Sequence, residues 1–430
     1  MASAINKREL YSYGILATPL AFAGIPLYIH APDFYATEYG VSLASLGVIL
    51  LSLRFLDAIQ DPIIGYLSDK YSKYRPKFML ISLILMAISF TLLFKPLTGN
   101  YLLWFAVFVL LATTAFSILT INLNTLGGLW SKDKNQKTTI AGYRETFGLI
   151  GLVLAVTLPS IFQNHLPKEQ AFSYVSFFLF VIIAFAAFIF SKWQKGHLRI
   201  NERKSNQDLS FKKIKNVSGD TKKFFVIYGI SILASSIPAV LVLFFIRDRL
   251  DLENYAGLFL LAYFLSGAIG ITIWNYVSRQ IGKHKSWGFA MLLAIASFIW
   301  AYFLSEGDFW PYLAICIISG IAFGAELVLP SSILADHIHK SKNEEIAAIY
   351  FGFLAFLAKL ALALASALTL PYLQSQGFVA QNNNSQGALH ALSISYAAIP
   401  CFIKLISIYL LWRIINEKNI NLINRSSNHA

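Results

Sequence analysis

The stretch from Val41 to Tyr66 reads VSLASLGVILLSLRFLDAIQDPIIGY, an apolar run interrupted by Arg54, Asp57 and Asp61, with Pro62 directly after the second acid. At spacings of three and four, the three charges fall on one stripe of a helix. A charge near the middle of a bilayer costs roughly 2.5–3.5 kcal/mol on insertion scales. A helix carrying three of them therefore needs partners: each other, a bound cation or a water-filled cavity. One reading is a structural ion pair joining helices. The other, which the spacing of the two acids favours, is a cation site in a transport pathway.

The rest of the chain has the same character. It is 57% hydrophobic and 13% charged, with mean hydropathy +0.60, about half the charged fraction of a soluble domain. Apolar stretches long enough to span a bilayer recur throughout, and twelve are expected: 11–30, 42–66, 78–96, 101–126, 143–163, 171–191, 224–246, 255–277, 288–305, 310–334, 346–371 and 389–412. No cleavable signal segment is evident after Lys7 and Arg8, so the first stretch reads as a retained helix.

The formal charge of +13 raises the question of nucleic acid, and its placement answers it. With the N-terminus inside and twelve alternating spans, the inside segments carry 28 Lys and Arg residues and the outside segments carry 4. Such a bias is an orientation signal, and it puts both termini in the cytoplasm. No nucleic-acid partner is expected; the partners are the lipid bilayer, a small-molecule solute and a monovalent cation. Cys316 and Cys401 both fall within expected spans, which suggests neither a disulfide framework nor a metal cluster. His337 and His339 would point apart on a helix, so no metal site is assigned there either.

Residues 192–223 are polar and basic and divide the chain near its midpoint. The expected organisation is an N-terminal six-helix bundle over 1–191, a cytoplasmic linker over 192–223, and a C-terminal six-helix bundle with a short cytoplasmic tail over 224–430. Weak internal similarity supports a duplication, since Tyr13-Gly14-Ile15 opens the first span and Tyr228-Gly229-Ile230 the seventh. Two six-helix halves around a central pathway is a secondary-transporter arrangement. Pro19, Gly24 and Pro26, then Pro238, Gly320, Gly324 and Pro330, mark bends of the kind tolerated beside cavities.

Asp57 and Asp61 are one turn apart, so two ionised side chains would repel. Protonation or a small cation between their oxygens relieves that. Sodium favours hard oxygen ligands, and Ser117 and Thr120 in the fourth span are candidate hydroxyl contributors. Arg54 is placed to pair with an acid when the ion is absent, giving the two-state element that coupling requires. Lys359, well inside the eleventh span, is a candidate second member of that charge pair. Glu326 in the tenth span is either a substrate group or half of an interhelical pair with Lys404. Asn122 and Asn124 sit two apart, so one is expected to face the cavity. Asp69, with Lys73 or Arg144, reads as a cytoplasmic gating latch. The eight Trp residues are assigned to the membrane interfaces.

Arg54-x-x-Asp57-Ala58-Ile59-x-Asp61-Pro62-x-x-Gly65, followed by Asp69 and Lys73-Tyr74-Arg75-Pro76, resembles the signature of the glycoside–pentoside–hexuronide:cation symporters, a melibiose-permease-like branch of the major facilitator superfamily. Gly142-Tyr143-Arg144, Ala335-Asp336 and Lys359 extend the resemblance over most of the chain. It implies an all-α polytopic membrane protein, with twelve transmembrane helices in two pseudo-symmetric six-helix bundles. It also implies symport coupled to Na+ or H+ by alternating access, with the ion at positions matching Asp57 and Asp61. Ser117 and Lys359 match as well. In the sugar-transporting members, acids in the first and fourth spans hold the sugar; the matching positions here are Thr18 and Thr120, an expected aromatic is Asn124, and only Arg144 remains of that set. Thr18, Asn122, Asn124, Arg144 and Glu326 are therefore the substrate-cavity candidates, and Asp69, Lys73, Arg75 and Asp336 the gating candidates.

The expectation is a cation-coupled transporter of a small solute such as a sugar, acting as a monomer in a bacterial inner membrane, with no cofactor beyond the coupling ion. The alternatives are a transporter of a lysolipid or other amphiphile, and an uncoupled facilitator. An enzyme is not expected, because neither a Ser–His–Asp set nor a His-rich metal signature is present.

Overall fold

The computed structural model describes residues 5–97, 99–163, 165–197, 218–379 and 384–427, and among these every regular element is helical. The chain forms two compact units, Met1–Asn216 with Leu334–Phe356, and Val217–Ile333 with Leu357–Ala430.

The first unit begins with a broken segment. Helices α1 (Lys7–Gly14) and α2 (Ala17–Ile25) are separated by a two-residue step, and a π-helical turn at Pro26–His30 leads into α3 (Ala31–Tyr39). Pro26 has no N–H to donate to the carbonyl four residues back, so the regular ladder ends there. Gly40 closes α3 with φ +64, a left-handed conformation that glycine adopts without strain. Helix α4 (Leu43–Lys70) starts at Ser42, whose Oγ accepts from the Ser45 N–H at 3.1 Å. It continues unbroken through Pro62. After it come α5 (Arg75–Leu93), α6 (Tyr101–Trp130), α7 (Lys134–Gln163) and α8 (Lys168–Gly196).

Apolar burial alone does not hold helices together in lipid, so close packing and polar contacts must. Gly151 of α7 lies against the Thr18 carbonyl of α2, where any Cβ would collide. Phe94 stacks on Phe172 at 4.4 Å between ring centroids, and the Tyr35 hydroxyl donates to the Leu93 carbonyl at 2.7 Å.

The second unit holds α9 (Gly219–Phe244), α10 (Ala256–Ile281), α11 (Lys283–Phe298), α12 (Phe309–Lys340), α13 (Ala347–Ser375), α14 (Gln386–Ser393) and α15 (Ile399–Ser427), except that the end of α12 from Leu334 and the start of α13 to Phe356 cluster with the first unit. Its tightest crossing joins α10 and α12. Gly270 faces the Ile321 carbonyl, Gly320 faces the Tyr263 carbonyl, and Gly324 lies on the backbone of Gly267 and Ile271. Such small residues let two backbones meet directly. Farther along, Phe245 stacks on Tyr396 at 4.1 Å, and the hydroxyls of Tyr312 and Tyr396 are 2.8 Å apart.

Ten of the twelve expected spans fall on helices long and apolar enough to cross a membrane. The other two are the broken α1–α2 segment and the charged α4. Of the expected linker, 198–217 lies outside the described residues; 192–196 form the end of α8 with His197 as its C-cap, and α9 opens at Gly219, capped by Ser218. A further difference from the expected division is that Leu334–Phe356 belongs with the first unit. The reason is polar. Asp69 accepts from the amides of Ala348 and Ile349 at 3.0 and 2.8 Å, and Lys137 donates to the Ala335 carbonyl at 2.9 Å. Gly65 leaves room for the Ala348 carbonyl, and Gly128 for the Phe351 ring.

Candidate cation site

Helix α4 is amphipathic in the reverse of the soluble sense. Asp57 and Asp61 are 3% and 0% exposed, whereas Phe55, Leu56, Ile59 and Ile63 are each more than half exposed. The charged stripe is turned into the protein and the apolar stripe outward, as a membrane helix requires.

The buried stripe packs on α6. Oδ1 of Asp57 accepts two hydrogen bonds, from the Ser117 hydroxyl at 3.0 Å and from the Gln60 amide at 2.8 Å. Gln60 is held in turn, its Oε1 accepting from the Thr114 hydroxyl at 3.0 Å. A hydroxyl that donates its hydrogen to a carboxylate keeps its lone pairs for another partner. One turn beyond Ser117, the Thr120 Oγ1 is buried and has no hydrogen-bond partner among the described residues. Asp61 is fully enclosed, and its backbone carbonyl packs on Gly352. The two carboxylates one turn apart and the Ser117 and Thr120 hydroxyls of the neighbouring helix are oxygen groups of the hard kind that a small monovalent cation prefers, and of these the structure bonds Ser117 to Asp57. Arg54 is half-buried on the same face of α4. Lys359 is half-buried on α13, in the second unit.

Below this site the polar contacts differ from the sequence expectation. The partner of Asp69 is Arg75, Nη2 to Oδ1 at 3.1 Å, and neither Lys73 nor Arg144. The short 3₁₀ turn Ser72–Tyr74 reverses the chain so that Arg75, at the start of α5, folds back over the end of α4. Lys73 is left exposed. Arg75 Nε also donates to the Ser68 hydroxyl at 3.1 Å, and Ser68 donates to Asn122. Asn122 therefore belongs to this network instead of to a cavity wall; it is 1% exposed and donates to the Ile118 carbonyl at 2.7 Å. Asp336 pairs with Lys137 at 3.3 Å, and His339 with Glu344 at 2.6 Å.

Among the substrate candidates, Arg144 donates to Asn124 and pairs with Glu145, joining α6 and α7 in one charged cluster. The Thr18 hydroxyl donates to the Phe147 carbonyl at 3.1 Å, so it is a helix–helix bond. Glu326 lies in the second unit in a closed polar knot. It accepts from Ser231 and from Trp287 Nε1, each at 3.1 Å, and pairs with Lys404 at 3.2 Å. Lys404 also donates to Ser235 at 2.6 Å. The interhelical reading of Glu326 describes this arrangement. Trp287 is fully buried, which corrects its assignment to an interface belt.

Sequence reasoning missed Gln60, Thr114 and Glu145, and treated Lys137 only as an orientation charge. Gln60 had a signal: it lies three residues after Asp57, on the same helix face.

The family model for MFS/sugar transport proteins matches residues 10–416. Among curated proteins, the isoprimeverose transporter of Lactiplantibacillus pentosus is 23% identical over 412 residues, covering 92% of this chain and 85% of the relative. The sodium-dependent lysophosphatidylcholine symporter 1-A of Danio rerio is 21% identical over 466 residues, covering 94% and 85%. Among solved structures, the major facilitator transporter FucP in its outward conformation superposes with a TM-score of 0.70 at 13% identity, covering 93% of this chain and 98% of that one. The fold is that of the major facilitator transporters. With a buried acidic pair on its second long segment and a sugar-transport family match over nearly its whole length, the chain belongs to the glycoside–pentoside–hexuronide:cation symporter branch of the major facilitator superfamily.

Proposed function

We propose that the protein couples the movement of a monovalent cation, Na+ or H+, to that of a small solute, and that the ion is held by Asp57 and Asp61 with the hydroxyls of Ser117 and Thr120. The observation that carries this reading is the convergence of Ser117 and Gln60 on one oxygen of Asp57, one turn from a fully buried second acid. Solute and ion exchange sides by alternating access, the mechanism of this transporter class. The excess of basic residues in alternate segments supports both termini lying on the cytoplasmic side of a bacterial inner membrane, with a single chain as the working unit.

The solute we favour is a small sugar or glycoside. The Arg144–Asn124–Glu145 cluster supplies donors and acceptors for hydroxyl or carboxylate groups, and a relative over most of the chain is named for isoprimeverose. A lysolipid is the second reading, supported by the lysophosphatidylcholine symporter relative and by Thr18 and Thr120 at the positions where sugar transporters carry acids.

Reconstitution tests the coupling directly. Proteoliposomes with an inward Na+ or proton gradient are expected to accumulate solute, while Asp57→Asn and Asp61→Asn retain downhill exchange and lose accumulation. A double-amide variant that still concentrates its solute ends this reading, and an uncoupled facilitator is excluded if accumulation follows either gradient.

A further inference from the structure

Helix α10 turns one stripe outward: Leu258, Leu261, Leu265, Ile269, Ile273 and Tyr276 are each more than a third exposed, the apolar face that lipid covers. The opposite stripe, Phe259, Ser266, Gly267, Gly270 and Trp274, is buried. Tyr263, four residues from both Phe259 and Gly267, belongs by spacing to the inward stripe, yet it is only half-buried. Its hydroxyl has no hydrogen-bond partner among the described residues. Other inward tyrosines differ: the hydroxyls of Tyr13 and Tyr35 donate to backbone carbonyls, and those of Tyr312 and Tyr396 bond each other.

The ring that carries this hydroxyl is held in place. Tyr263 stacks on Phe323 of α12, with centroids 5.1 Å apart and planes 28° apart, and Phe264 lies edge-on to it at 5.4 Å. The glycine crossing fixes both rings, since a Cβ at Gly320 would collide with the Tyr263 carbonyl and one at Gly267 would press on the Phe323 ring at 3.3 Å. The Glu326 carboxylate acts electrostatically on the phenol, but its oxygens are engaged by Ser231, Trp287 and Lys404. What remains is a preorganised hydroxyl, donor and acceptor at once, open beside fixed aromatic rings. Ligand sites are built in this way, from apolar and aromatic walls with a few polar groups that fix orientation.

We propose that Tyr263 is a substrate-binding residue of the second unit, its hydroxyl bonding a ring hydroxyl of a pyranose that packs on the Tyr263–Phe323 pair. A pyranose has the matching build: its faces carry C–H groups that pack on aromatic rings, and its rim carries hydroxyls that both donate and accept. This assignment rests on the sugar reading of the solute and adds a named contact to it. A lysolipid would use the same rings for its acyl chain and would have no need of the hydroxyl, so the two solutes make opposite demands on one oxygen atom.

The test is calorimetric titration of the full chain in detergent, at saturating Na+ and fixed pH, with the p-nitrophenyl pyranosides of xylose, glucose, galactose and glucuronic acid. Tyr263→Phe is expected to weaken the best-bound of these about fivefold, the worth of one hydrogen bond between neutral groups. Phe323→Leu, which keeps apolar bulk and removes the ring, is expected to weaken it as well. Tyr276→Phe, on the outward stripe of the same helix, keeps the wild-type affinity. A monodeoxy series of that probe identifies the contact: deleting one ring hydroxyl costs the wild type about fivefold and costs Tyr263→Phe nothing further. Melting without sugar reports that each variant is folded. If the wild type binds none of the four, the sugar reading falls and this assignment with it. If the wild type binds and Tyr263→Phe binds equally well, or Tyr276→Phe loses as much, the sugar reading stands and the assignment of Tyr263 is overturned. A loss in Phe323→Leu with none in Tyr263→Phe overturns it too.

Discussion

Ser117 on α6 donates its hydroxyl hydrogen to Oδ1 of Asp57 on α4 across 3.0 Å. That oxygen also accepts from Gln60, so the acid is positioned by its own helix and by the next one. A carboxylate restrained from two sides presents its oxygens in one orientation, which a small ion requires of its ligands.

Removing either restraint should weaken ion binding before it weakens the fold. A hydrogen bond to a charged group contributes about 1.5–3 kcal/mol. Ser117→Ala is therefore expected to raise the cation concentration for half-maximal uptake about tenfold or more, while Ser117→Thr, which keeps the hydroxyl, recovers most of it. Gln60→Leu removes the amide donor and leaves the Thr114 hydroxyl with only the Leu110 carbonyl; a comparable loss of cation affinity is expected. Cation-dependent uptake over a concentration series reads both.

Asp69 accepts from Arg75 and from two backbone amides at once. Breaking a buried pair by removing one partner costs about 3–5 kcal/mol. Asp69→Ala and Arg75→Ala should both lower the melting temperature. The exchange D69R/R75D should not restore it, because arginine cannot accept from the Ala348 and Ile349 amides. Recovery in the swapped protein would show that charge alone matters at this position.

Glu326 and Lys404 are 7% and 9% exposed at the side chain and engage three other residues. Glu326→Gln or Lys404→Met alone leaves an uncompensated buried charge, so each should destabilise. The double variant E326Q/K404M should be closer to the wild type than either single change. Thermal unfolding of all four proteins gives the coupling. Additive losses would mean the two side chains act independently.

Gly270 and Gly324 bring the backbones of α10 and α12 into contact. Gly270→Val must push against the Ile321 carbonyl, and Gly324→Val against the Gly267 carbonyl. Each is expected to lower both melting temperature and yield in the membrane fraction. Gly257→Ala, at a position in α10 with open space around it, serves as the neutral comparison.

What could be read from the sequence, and what could not, follows the range of the forces involved. Membrane insertion depends on local composition, so ten helices fall where hydropathy put them. The stripe of Arg54, Asp57 and Asp61 is a property of one helix, and its two acids are buried as that pattern requires. Partner choice is different. The Asp69–Arg75 pair depends on how a three-residue 3₁₀ turn reverses the chain, which residue spacing does not reveal. Asn122 looked equivalent to Asn124 because only the packing of α4 on α6 distinguishes them, giving one to Ser68 and the other to Arg144. Glu326 and Lys404 lie 78 positions apart. Two opposite charges inside spans need partners, so their pairing is one of two readings the sequence offers, but it does not offer the Ser231, Ser235 and Trp287 side chains that complete the knot.

The indole of Trp287 is fully buried and donates to Oε1 of Glu326. The chain thus carries a native fluorophore bonded to a titratable acid. Its emission, isolated as the difference between the wild type and Trp287→Phe, would report events at that carboxylate without an attached label.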